Sequence, residues 1–145
     1  MSLLDSCSDL MEIKLYYKYT KVGKGKKLVV IDDNKAEEIL KNEEKSKEIQ
    51  VLETYWSMLT WREQNEVMSS SSKVIDPATG EKQFNFIAYR DAIIKKCLKQ
   101  WNLTINEKPV PVSAEVIDKL PGAVVINIYQ KYERYIEFNE EEMGN

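Results

Sequence analysis

The chain contains no histidine. That absence removes the side chain most often used as a general base near neutral pH, the usual nucleophile–base arrangements and most transition-metal sites. Hydrolase readings lose most of their support. Cysteine is scarce too, with only Cys7 and Cys97 present, and their placement matches neither a disulfide framework nor a familiar metal-ligand spacing. A reducing compartment is the simpler reading. No uncharged apolar run approaches the ~20 residues that span a bilayer. Residues 1–10 carry Asp5 and Asp9 with no basic start, so they do not read as a secretory leader. A soluble protein with no membrane partner, not exported by these routes, is expected. Neither sign of charge dominates: 21 basic and 24 acidic residues are interspersed for a net charge of −3. There is no broad basic field to hold a phosphate backbone, and nucleic acid is not an expected partner.

What is present fits one compact domain, since 145 residues with 43% hydrophobic content can bury a core without disulfides or metals. Residues 11–20 alternate Ile13, Leu15, Tyr17 and Tyr19 with Glu12, Lys14, Tyr16 and Lys18, the two-residue period of a half-buried strand. Residues 21–27 contain Gly23 and Gly25, and the run Leu28-Val29-Val30-Ile31 follows, which together predict a β-hairpin. Asn34, with Glu37 three residues on, is a candidate helix cap, and Ala36, Ile39 and Leu40 give that short helix only a thin apolar stripe. Residues 49–59 fit a strand or the tail of a helix, and their β-branched and aromatic density favours a strand. Thr60-Trp61-Arg62-Glu63 has capping-box spacing and predicts a helix from Trp61 to about Met68, ended by the serines at 69–72. Asp76-Pro77-Ala78-Thr79-Gly80 is turn chemistry. It precedes the longest amphipathic segment, residues 84–101, which reads as the main core helix. Ser113 opens a short helix that Pro121 and Gly122 interrupt, and helical spacing resumes over residues 124–138. The expected fold is therefore α+β: a mainly helical single domain over residues 1–138, with an N-terminal β-hairpin and a third strand in the front (11–59) and helices behind (60–138). The acidic tail 139–145 is expected to be flexible.

Few residues suggest chemistry. Asp32 and Asp33 lack the alternating ligands of a calcium loop and are better read as helix capping. Gly23-Lys24-Gly25-Lys26-Lys27 lacks the spacing, the Lys-Ser/Thr pair and the following helix of a phosphate loop, so a hairpin turn is expected there. Cys97, between Lys96 and Lys99, lies on the apolar side of its helix and reads as an inert core thiol. No catalytic residue, metal or cofactor is expected. The three tryptophans fit either one small core or partner binding; Trp101, at the end of the amphipathic ridge, fits the core, whereas Trp61, at an exposed first-turn position, reads equally well either way. Tyr129, Tyr132 and Tyr135 form either an amphipathic or a docking face. Trp61, Tyr129 and Tyr132 are thus the candidate partner-binding residues.

The order Leu59-Thr60-Trp61-Arg62-Glu63-Gln64-Asn65-Glu66, Tyr89-Arg90, Cys97-Leu98-Lys99-Gln100-Trp101-Asn102-Leu103, Pro109-Val110-Pro111-Val112-Ser113 and Ile117-Asp118-Lys119-Leu120-Pro121 resembles the tail assembly chaperones of tailed bacteriophages. The resemblance covers roughly residues 49–136 and leaves residues 1–48 outside its pattern. It implies a small, mainly helical, non-catalytic protein of the host cytoplasm that binds the tape measure protein and tail tube protein before assembly. Self-association stays open. The alternative is a structural subunit of the phage tail, baseplate or neck, which would be found in the virion. A small carboxylate- or metal-using enzyme is a third reading, disfavoured by the missing histidine.

Overall fold

A computed structural model describes residues 2–137. The predicted hairpin is there: β1 (Met11–Val22) and β2 (Gly25–Ile31) pair antiparallel, with Val22 opposite Gly25 across a two-residue turn. Gly23 holds φ at +60° while Lys24 does not adopt positive φ, the pattern of a type II′ turn whose first central residue must be glycine. After α1 (Asp33–Leu40) and α2 (Glu43–Ser46), β3 (Gln50–Trp56) returns beside β1. The strand reading of residues 49–59 is the one realised.

The expectation of a mainly helical chain is overturned. Helices take 43% and strands 32% of the described residues, and a four-stranded antiparallel sheet of order β2-β1-β3-β6 is the scaffold on which the helices lie. Three predicted stretches account for the difference. The core helix α4 spans Phe86–Cys97 and stops there, because Leu98–Trp101 becomes edge strand β6. β6 continues the ladder through Asn102, whose side chain accepts from the Glu53 N–H at 2.9 Å and donates to the Val51 carbonyl at 3.0 Å. Tertiary pairing thus overrides a helical period. Residues 72–84, read as serines and a turn, form a hairpin of β4 (Ser72–Asp76) and β5 (Glu81–Phe84) inserted between α3 (Trp61–Ser70) and α4. The connector between α4 and the helix opened by Ser113, for which no strand is expected from sequence, carries a further small hairpin, β7 (Thr104–Ile105) and β8 (Lys108–Pro109), whose turn residues Asn106 and Glu107 both have positive φ. Helices α5 (Ala114–Lys119) and α6 (Gly122–Ile136) follow. The tail 139–145 lies outside the described residues.

Alternation along the strands decides which side is buried. Ile13 and Leu15 of β1 and Leu52, Thr54 and Trp56 of β3 point into one core with Ile93, Ile94 and Cys97 of α4, Ile117 of α5 and Val124, Ile128, Tyr129 and Tyr132 of α6. On the opposite face α1 lays Ala36 and Ile39 over Tyr16, Ile31 and Ile49 as a second, smaller cluster. The α1 cap is Asp32, which accepts from the Asn34 and Lys35 N–H groups, so the Asn34 cap expected from sequence sits two residues too late. Asp32, just past the end of β2, is the better cap because its backbone (φ −56°, ψ 140°) is non-helical, as a capping position needs.

The centre of the core is polar as well as apolar. Trp56 is completely buried and its ring stacks on Tyr132 at a centroid distance of 4.5 Å and 24° between planes. Its indole N–H donates to Thr54 Oγ1 (2.7 Å), whose hydroxyl donates to the Ile13 carbonyl (2.7 Å), and the Tyr132 hydroxyl donates to the Ser57 carbonyl (2.8 Å). Among the described residues no buried side-chain N or O lacks a partner. Thr54→Val keeps the volume of that side chain but leaves the indole N–H unpaired, and should lower unfolding stability by about 1–3 kcal/mol in urea titrations. Thr54→Ser, which loses one buried carbon, should cost only about 1 kcal/mol.

Candidate partner-binding surface

The three residues singled out for partner binding separate in space. Trp61 is 76% exposed at the first helical position of α3, whereas Tyr129 and Tyr132 are 4% and 1% exposed inside the core. The expectation that Tyr129 and Tyr132 contribute a docking face is therefore corrected: α6 turns them toward the sheet, and burial raises both hydroxyl pKa values above the ordinary tyrosine range. The third tyrosine of the series, Tyr135, is exposed. Cys97 is buried, and burial pushes its thiol up, so its flanking lysines do not make it a nucleophile. Trp101 packs against the core and its indole N–H donates to the Val110 carbonyl at 2.6 Å.

Trp61 stands on a first turn whose backbone is capped. Thr60 Oγ1 accepts from the Glu63 N–H (3.2 Å) and the Glu63 carboxylate accepts from the Thr60 N–H (3.1 Å), a reciprocal cap that fixes the first turn. Lys96 of α4 pairs with Glu66 of α3 at 2.9 Å, holding the two helices side by side. A shallow depression on α3 runs beside the indole, lined by Trp61, Arg62, Asn65, Glu66, Ser69 and Ser70.

The rest of the segment 61–87 exposes more apolar surface than sequence reading anticipated. Met68 on α3, Val74, Ile75 and Phe84 on the β4–β5 hairpin, and Phe86 and Ile87 at the start of α4 all keep 42–68% of their surface open. The β4–β5 register sets Val74 and Phe84 on one face of the ribbon. Phe84 leans on Tyr89 at 5.3 Å, and the Arg90 guanidinium lies 5.9 Å from the Phe86 ring centroid. The missed signal was the β-branched pair Val74-Ile75 with Phe84 across the turn, too brief to stand out beside the stronger Asp-Pro turn.

A groove of about 930 Å³ lies elsewhere, between the β1 edge, the start of α1 and α6, and is lined chiefly by Glu12, Lys14, Tyr16, Asp33, Lys131 and Arg134. Lys131 fills part of it, donating to the Asp33 carboxylate and to the Lys14 carbonyl at 2.8 Å. Its charges are largely paired with each other, so it offers no converging set of free groups. No group of three or more potential metal ligands occurs among the described residues, and no helix is long and apolar enough to cross a membrane. No family model, curated protein or solved structure matches the chain.

The cap has a pH signature. The Thr60 backbone N–H, and then its hydroxyl, hold the Glu63 carboxyl below its ordinary value. A depressed carboxyl stabilises the fold above its unfolded-state pKa, and that contribution disappears as pH falls through the folded-state value. Glu63→Gln should therefore remove part of the acid-side loss of stability seen in the unaltered chain. Thr60→Ala should cost about 1 kcal/mol at neutral pH, both effects being read from thermal melts across the acid range.

Proposed function

We propose that the chain is a tail assembly chaperone of the tailed-bacteriophage type, acting in the host cytoplasm without catalysis. It holds tape measure and tail tube proteins until they assemble, and Trp61 is the anchor of its binding surface. The observation that carries this reading is the pairing of a rigid cap with an exposed indole: a large aromatic side chain is left in water on a helix whose first turn is locked. A holder of aggregation-prone segments needs exposed apolar anchors on a scaffold kept soluble by charge. The apolar residues of 61–87 sit beside Arg62, Glu66, Lys73, Lys82 and Arg90, which meets that need. The resemblance over residues 49–136 supplies the identity of the partners. Its most distinctive stretch, 97–103, has a structural role in this chain, as edge strand and ladder cap.

Trp61→Ala should leave the melting temperature unchanged within about 1 °C, since an exposed side chain contributes little to the fold. It should weaken capture of co-expressed tape measure protein by roughly 30-fold, the loss expected of an aromatic hot spot. Quantitative mass spectrometry, normalised to the tail tube protein, distinguishes a chaperone from a tail, baseplate or neck subunit. Abundance in the infected-cell lysate with absence from purified particles supports the chaperone, and a fixed integral ratio in particles overturns it.

A further inference from the structure

The sheet ends on one side at β2, and nothing among the described residues covers that edge. In a hairpin closed by the pair Val22–Gly25, the residues that exchange hydrogen bonds with β1 are Gly25, Lys27, Val29 and Ile31. The backbone groups of Lys26, Leu28 and Val30 then point outward, and no hydrogen bond to them occurs among the described residues. An open, seven-residue edge rich in Leu and Val is a template for another strand, and proteins manage such edges explicitly.

The charges along this edge are polarised. One end carries Lys24, Lys26 and Lys27, all exposed; the other runs into the exposed Asp32 and Asp33, with Glu37 one turn further along α1. Parallel in-register stacking would set lysine on lysine. Antiparallel pairing of two copies does the reverse, because each strand's basic end meets the other's acidic end. We propose that β2 is a dimerisation edge, occupied by β2 of a second copy in antiparallel register about a two-fold axis at Val29. In that register Leu28 faces the partner's Val30, and Lys26 faces the partner's Asp32, twice by symmetry. The outward-pointing groups of both strands coincide, so every pair that must exchange hydrogen bonds can do so. Leu28 and Val30 lie on the core side in both copies, which makes one continuous eight-stranded sheet with its helices on a common face. The interface is isologous and closes on itself, so it does not propagate into a fibre. This inference stands apart from the chaperone reading, since β2 lies outside both the segment 49–136 and the surface around Trp61.

The test uses the full chain. Sedimentation equilibrium over the micromolar range should give a dimer, and the Leu28 and Val30 amides should exchange more slowly with solvent as concentration rises. Lys26→Glu sets like charges against Asp32 at two places. Lys26→Pro removes an outward N–H that no bond within the chain uses, a substitution that edge strands tolerate. Each should raise the dimer Kd by at least about tenfold while leaving the circular dichroism spectrum unchanged. A chain that stays monomeric overturns the proposal, as does a dimer whose Kd moves less than that in both folded variants. If either variant misfolds, the unaltered chain decides: concentration-independent exchange at Leu28 and Val30 contradicts the assignment, whatever the oligomeric state.

Discussion

A buried indole N–H without an acceptor costs about 1–3 kcal/mol, and Trp56 puts one in the middle of the core. Thr54, two residues back on the same strand, supplies the acceptor and passes its own proton to β1, so one threonine hydroxyl ties two neighbouring strands together. The indole face then stacks on Tyr132, whose hydroxyl returns to the strand end at Ser57, where the Ser57 N–H in turn donates to the Cys97 carbonyl at the end of α4. Sheet, α4 and α6 are thereby joined at one point. Shifting β3 by one residue would send Leu52, Thr54 and Trp56 to the opposite face together, so the register of the sheet and the seating of α6 depend on each other.

That dependence explains which parts of the structure were legible in the sequence. The β1–β2 hairpin was readable because alternation, a glycine at the turn and β-branched residues all pointed the same way. The cap at Thr60 and Glu63 and the one at Ser113 were readable because capping is local chemistry. Leu98–Trp101 was misread because helical spacing continues through it, and only a free edge on β3, far away in sequence, makes it a strand. The β4–β5 and β7–β8 hairpins were missed because both are short and mostly exposed, so neither carries the burial alternation on which strand reading rests. The candidate surface depended on packing in the same way. The first-turn position of Trp61 left core and surface equally open until the fold placed it outward, and Tyr129 and Tyr132 needed knowledge of which face of α6 meets the sheet.

The resulting molecule separates its tasks by location. The sheet and α4 to α6 hold the core, while α3, the inserted β4–β5 hairpin and the first turn of α4 leave Trp61, Met68, Val74, Ile75, Phe84, Phe86 and Ile87 exposed. Ion pairs there and nearby, Lys96 with Glu66 and Lys95 with both Asp91 and Asp118, link α3 to α4 and α4 to α5. These pairs are partly exposed and each contributes little to stability, but together they fix the relative placement of helices that carry the surface. The β2 edge is the opposite edge of the sheet from β6, and no hydrogen bond to its outward groups occurs among the described residues. Client binding through residues 61–87 and pairing of copies through β2, as proposed, would use different segments of the chain.

Through Trp56 and Tyr132 the hairpin front and the helical back should unfold as one cooperative unit. Native-state hydrogen exchange in increasing denaturant tests it most directly. The amides of Ile13 and Leu15 in β1 and of Ile128 and Tyr132 in α6 should exchange through the same global opening, with equal free energies and equal denaturant slopes. A smaller opening that releases β1 and β2 while α4 and α6 stay protected would contradict it.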